Sequence, residues 1–214
     1  MARTGFGLAA ALMGVMAMSA AQGAETAYAI FAGGCFWSIE SDFDHAPGVI
    51  STTSGYTGGH LDNPRYEDVV TETTGHREAV KVEYDPSVTS YATLVDTFFH
   101  LIDPTDPRGQ FCDFGESYTT AVFPATPEEK AIADAKVTEV AGLLGKPVAT
   151  SILDAAPFWP AEAVHQDFWT GTEVLGNGST RAAHYQRYRI GCGKNAKVEA
   201  IWGKDAFKGL DGHA

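Results

Sequence analysis

Three side chains in this 214-residue chain can act as sulfur nucleophiles: Cys35, Cys112 and Cys192. Cys35 has the most suggestive neighbours, standing in FAGGCFWSIE between two glycines and two aromatics, directly after a short apolar run. A packed structural cysteine needs no glycines before it. A chain that leaves a strand and turns sharply into a helix often does, because glycine tolerates positive φ. With Cys35 opening a helix, free amide N–H groups and the helix dipole favour a thiolate and bring its pKa from about 8.5 toward ~3.5–7.5. An inert cysteine packed between Phe31 and Phe36 fits the stretch equally well, and the stretch alone does not choose.

A thiolate that displaces a poor leaving group needs a proton donor. HREAVKVEY at 76–84 alternates strictly, so His76, Glu78, Val80, Val82 and Tyr84 share one face and Arg77, Lys81 and Glu83 the other. Glu78 therefore lies on a mostly apolar side, where desolvation raises a carboxyl pKa and keeps the acid protonated. Taken alone, the strand slightly favours a plainer arrangement, with Glu78 solvated at a frayed start. DPTDPRGQFCDFGESY at 103–118 carries Cys112, Asp113 and Tyr118 in a long loop rich in turn formers. Loops of that kind hold functional groups when a rigid scaffold supports them.

The scaffold can be read from periodicity. Residues 27–32 form a short buried strand, and Phe36, Ile39, Glu40 and Phe43 have helical spacing up to a stop at Pro47-Gly48. Ser90 caps a helix with Leu94, Phe98 and Phe99, and Tyr118 begins a strand through Phe123. Thr126-Pro127-Glu128-Glu129 opens a long helix as cap, first-turn proline and capping box, ending at Gly145 before a strand over 148–153. A shorter aromatic-rich helix and an irregular C-terminal tail follow, and 171–179 reads as an extended loop. The fold class is α+β: a two-layer sandwich with a mixed or antiparallel sheet covered by helices, around a ferredoxin-like core.

MART followed by GFGLAAALMGVMAMSAA reads as a signal peptide over 1–23, too short and alanine-rich for a membrane span, with cleavage sites at Ser19/Ala21 or Ala21/Gly23. Residues 24–214 then make a single domain exported to the periplasm or secreted, with no stable membrane association. The net charge of −12, without a basic stripe, argues against nucleic acid. Three cysteines in an exported chain cannot all pair, which suggests redox chemistry. No CxxC or HExxH spacing occurs, so no metal is expected.

GGCFW at 33–37, PGV at 47–49, GYTGG at 55–59, NPRYEDV at 63–69, TGHREAV at 74–80, YDPSVTSY at 84–91, the 103–118 loop and PFWPAEAVHQDF at 157–168 resemble, in order, the A-type peptide methionine sulfoxide reductases. The resemblance runs from about Ala29 to Phe168. It implies Cys35 as nucleophile, Phe36 and Trp37 as an apolar wall for the substrate methyl, and Glu78 as proton donor. It also implies Tyr66 and Tyr118 as phenols on the sulfoxide oxygen and Asp113 as the acid that orders the site; without it, both tyrosines read as packing residues. The implied activity is thiol-dependent reduction of methionine-S-sulfoxide, free or in oxidised proteins, through a cysteine sulfenic acid and an intramolecular disulfide. No bound cofactor is implied. An external thioredoxin-like protein supplies electrons to what is expected to be a monomer. RIGCGKNAK at 189–197 matches only a subset of the family. Cys192, whose flanking glycines let a tail swing, is preferred as resolving thiol, with Cys112 as runner-up. Two other classes compete: a cysteine acyl hydrolase pairing Cys35 with a histidine such as His76, and a non-catalytic binding domain.

Overall fold

The computed structural model describes residues 1–2 and 26–212; the leader expected over 1–23 lies, beyond its first two residues, outside the described residues. Strand β1 (Ala27–Ala32) runs through Gly33 and Gly34 into helix α1 (Phe36–Phe43), and β2 (Val49–Thr57), the single turn α2 (Tyr66–Val69) and β3 (Arg77–Tyr84) follow. Helix α3 (Tyr91–Phe99), the short strands β4 (Gly109–Gln110), β5 (Asp113–Phe114) and β6 (Ala121–Val122), and helix α4 (Pro127–Leu144) come next. The chain closes with β7 (Ser151–Ile152), β8 (Trp159–Pro160), α5 (Arg181–Gly191) and α6 (Lys194–Trp202).

The sheet has the order β7-β6-β1-β3-β2-β8, antiparallel except for the parallel β6–β7 pair. Its centre, β6-β1-β3-β2 with α1 and α3 as crossovers, is the ferredoxin-like arrangement. One face carries the main core, in which Phe31 of β1 stacks on Phe43 of α1 at 5.1 Å and on Phe98 of α3 at 4.9 Å. Among the described residues, the other face has a smaller cluster of Ile30, Ala32, Ala79, Ala121 and Phe123, with Phe158 packed against it.

Local rules act where they were expected. Ser90 Oγ accepts from Thr93 N and Thr126 Oγ1 from Glu129 N, so both caps form. The Glu129 carboxylate reaches one residue further back than a standard box, taking Ala125 N at 2.7 Å. The strand expected over 118–123 is reduced to Ala121–Val122, because Glu116–Tyr118 winds into a 3-10 turn. Residues 157–168 are extended and 3-10 rather than an aromatic-rich helix, as prolines at 157 and 160 dictate. The C-terminal tail is not irregular but forms α5 and α6. Among the described residues, no helix is long and apolar enough to cross a membrane.

The glycine pair has a steric function. Gly34 has φ +84°, and a Cβ there would lie 2.6 Å from Gln110 Cβ. Gln110 cannot yield, since it is fully buried and its amide bonds both N and O of Asp103. Gly34→Ala combines a left-handed backbone with this overlap and is expected to cost about 1–3 kcal/mol. Equilibrium urea unfolding against the unaltered protein checks this, and an unchanged midpoint contradicts it.

Candidate active site

Register sets Cys35 beside Glu78. Phe31 of β1 pairs with Val80 of β3, so the chain leaving β1 at Gly33 and Gly34 passes the level of Glu78. Cys35 then caps α1, and the first amide of the helix, Phe36 N, donates to Glu78 Oε2 at 2.9 Å. Glu78 is only 2% exposed, on the apolar face that strand alternation predicts. Burial, the first cause, and then Asp113 and Glu72 raise its pKa to about 8, against the Phe36 amide that lowers it.

The expected depression of the Cys35 thiol is corrected by this geometry. The Phe36 amide is committed to Glu78, and burial first, then the Glu78 and Asp113 carboxyls, push the thiol well above its ordinary value. Hydrogen bonds from Tyr188 and the Trp37 amide oppose that rise without cancelling it. These contacts favour the thiol over the thiolate.

A cavity of about 130 Å³ is bounded by Cys35, Phe36, Trp37, Tyr66, Glu78, Asp113, Tyr118 and Tyr188. Every residue that the family resemblance nominated lines it, apart from Cys112 and Cys192. A larger hollow of about 580 Å³, on the side of α1 where Trp169, Tyr185 and Ile190 lie, presents neither thiol nor carboxyl. Trp37 is stacked on Phe168, with ring centroids 3.8 Å apart, and meets Tyr188 edge-on. Tyr66 is anchored by its backbone N to Glu162 Oε1 at 3.0 Å, while Tyr56 donates to the other oxygen of Glu162. Tyr118 ends a 3-10 turn that Glu72 grips through Ser117 N and Oγ at 2.9 and 2.6 Å, and its hydroxyl is hydrogen-bonded to that of Tyr66. Burial raises both phenols, so they stay protonated and can donate.

Sequence reasoning missed Tyr188, which donates to Asp113 and is hydrogen-bonded to Cys35. It also missed Glu162 and Glu72 as supports. The available signal was the spacing of Tyr188 and Cys192, one helical turn apart in YRIGC. Cys112 and Cys192 are joined to each other, with Cα atoms 5.1 Å apart, and Cys35 is free. The two thiols weighed as alternatives thus form one pair. It flanks the pocket, because Asp113 follows Cys112 and Tyr188 precedes Cys192 on α5. His76 does not line this pocket: Nδ1 accepts from Gly59 N and Nε2 donates to Leu61 O, leaving no nitrogen to act as a base on Cys35. Among the described residues, no group of three or more His, Cys, Asp or Glu could hold a metal ion.

Residues 27–205 match the sequence pattern of the family described as peptide methionine sulfoxide reductase. The chain belongs to that family. The peptide methionine sulfoxide reductase MsrA 2 of Rhizobium meliloti is 48% identical, over 89% of this chain and 90% of its own length. The MsrA of Bacillus subtilis is 45% identical, over 82% and 95%. The solved structure of methionine sulfoxide reductase A of Corynebacterium diphtheriae aligns with TM-score 0.61 and 27% identity, covering 72% of this chain and 82% of that one. As a peptide methionine sulfoxide reductase, the chain is an oxidoreductase that reduces methionine sulfoxide at the expense of thiols.

The buried Glu78 carboxyl carries a stability cost whose sign is fixed. Glu78 has a folded pKa of about 8, above the 4.5 of a free glutamate. Its contribution is full below the unfolded value and is lost as pH rises through the folded one. Glu78→Gln is neutral throughout and keeps an oxygen for Phe36 N. Urea unfolding is expected to show the two proteins similar near pH 4, with the variant gaining up to a few kcal/mol by pH 9. A pH-independent gap shows that Glu78 ionises normally in the native state.

Proposed function

We propose that the chain reduces the S epimer of methionine sulfoxide, free or in oxidised proteins, with Cys35 as nucleophile and Glu78 as proton donor. The observation that supports this best is the convergence of a thiol, a carboxyl raised to about 8 and two hydrogen-bonded phenols on one aromatic-walled cavity. Sulfoxide oxygen leaves poorly until protonated. Two anions side by side in a buried pocket repel, so the competent microstate has a Cys35 thiolate opposite a neutral Glu78. Attack forms a bond between the two sulfurs, and Glu78, with Tyr66 and Tyr118, hydrogen-bonds and protonates the oxygen. As the oxygen moves to Cys35, methionine leaves reduced by two electrons and Cys35 is left as a sulfenic acid, oxidised by two. Methyl against Phe36 and Trp37, oxygen against the phenols and sulfur against Cys35 fix three directions, which one epimer satisfies.

Cys192 then attacks the sulfenic sulfur, releasing water and forming a Cys35–Cys192 bond. Cys112 exchanges into that bond, which leaves Cys35 as a thiol and Cys112–Cys192 as the disulfide seen here. Cys112 is exposed, so an external thioredoxin-like dithiol can reach it. The competent form carries one proton between the two groups, so the rate is expected to rise as the first is lost around pH 8 and to fall at higher pH as the second is lost. Assays with each purified epimer check the set: Cys35→Ser inactive, only the S form consumed, and the alkaline fall absent in Glu78→Gln, which retains more activity than Glu78→Ala. Equal turnover of both epimers rules out the three-direction pocket. Disulfide mapping after one equivalent of substrate is expected to trap Cys35–Cys192 in Cys112→Ser. A Cys35–Cys112 bond formed by the unaltered protein before any other reverses the order of the relay.

The reading extends to an exported enzyme, because the charged start and small apolar run of residues 1–23 match a cleavable leader. Expression of the full chain in a bacterium, followed by fractionation and N-terminal sequencing, is expected to give mature protein starting near residue 22 or 24. Uncleaved cytoplasmic protein counts against export.

A further inference from the structure

Next to the pocket lies a buried ionic cluster that the reduction chemistry does not use. Asp42, in the last turn of α1, is fully buried; its Oδ2 takes Lys194 Nζ at 2.6 Å and its Oδ1 takes Arg189 Nη1 at 2.8 Å. Lys194 is itself 2% exposed, and its ammonium stands 5.7 Å from the centre of the Phe111 ring. These contacts reach all three cysteine-bearing segments. Asp42 belongs to the helix that Cys35 caps, Phe111 immediately precedes Cys112, and Lys194 and Arg189 bracket Cys192. Desolvating a lysine costs several kcal/mol, and an apolar side chain of similar volume often packs there with no loss of stability. A charge at this place is better explained by the fixed geometry it imposes.

We infer that Lys194 is a positioning residue for disulfide closure: by joining α1, the Phe111–Cys112 turn and the start of α6, it keeps the three sulfurs in register before any disulfide exists. The inference rests on the reductase reading of Cys35. In the first closure a Cys192–Cys35 bond forms, the sulfur–oxygen bond of the sulfenic acid breaks, and the oxygen leaves as water with the thiol proton. The following exchange breaks that bond and makes Cys112–Cys192, with no net oxidation. Both steps require Cα atoms within about 7 Å, which an undocked tail meets only intermittently.

The test uses reduced full-length protein given one equivalent of methionine sulfoxide without reductant, with released methionine and remaining free thiols followed in time. Lys194→Met keeps the stem and a favourable sulfur contact for Phe111, and leaves Asp42 paired with Arg189. The methionine burst is expected to stay within about twofold, while disulfide closure slows by about tenfold or more and a dimedone-reactive Cys35 accumulates. A lysine with only a structural role slows both phases or neither, and either result overturns the inference. Hydrogen exchange on the unaltered protein provides a test that survives misfolding of the variant. Amides of α5 and α6 are expected to be equally protected with Cys112 and Cys192 oxidised or reduced. Protection lost on reduction shows that the disulfide holds the tail, and overturns the inference. No methionine burst from the unaltered protein refutes the reductase reading itself.

Discussion

The hydrogen bond from Phe36 N to Glu78 Oε2 ties the helix that Cys35 caps to the strand that carries Glu78, and the other parts of the site are arranged around it. A bond between a backbone amide and a carboxyl group in a dry setting contributes more than a neutral pair, about 1.5–3 kcal/mol where the acceptor is charged. Its geometric effect is larger. It fixes where α1 begins, and so where the Cys35 sulfur lies relative to the carboxyl. The Gly33-Gly34 turn exists to let the chain meet that constraint, with Gln110 and Ile39 filling the space where a side chain would stand.

The same bond explains why a helix N-terminus does not yield a resting thiolate here. A dipole end favours a thiolate only where its free amides face the sulfur, and the Glu78 carboxyl oxygen takes the first of them. With Glu78 and Asp113 both close to the sulfur, a second negative charge is opposed, and the pocket holds its proton until something replaces the lost hydration. A sulfoxide, with a dipolar oxygen aimed at the phenols and acid and an electrophilic sulfur at Cys35, is complementary to that charge pattern. A thiol kept protonated until substrate arrives is also shielded from adventitious oxidation, since the thiolate is the reactive form.

The placement of Cys35 and Glu78 was legible because its determinants are local and repetitive. Period-two alternation placed Glu78 on a buried face, and the glycines before Cys35 marked the turn. What escaped the sequence obeys less common rules. The β4–β5 hairpin turns on Phe111 and Cys112, with Phe111 at φ +58°, where a two-residue turn normally takes Gly, Asn or Asp. Helix α6 buries Lys194, Val198 and Trp202, a proper i, i+4, i+8 row, but its first member is a lysine and so broke the apolar pattern. Only pairing with Asp42, 152 residues away, makes that lysine a core residue. Long-range electrostatic compensation leaves no mark on local periodicity.

The helical tail changes how the thiol chemistry is organised. Two glycines around Cys192 suggest a segment that swings, but Gly191 ends α5 and Gly193, at φ +66°, turns the chain directly into α6. Their freedom is used to make a corner, and Cys192 sits at that corner with its amide donating to Tyr188 O at 2.9 Å. Tyr188 in turn reaches Asp113, the residue after Cys112. The disulfide therefore bridges two segments already linked by a hydrogen bond one turn away. Closing it removes little conformational freedom, and breaking it releases little, so a cycle of oxidation and reduction can run without refolding the site around Cys35.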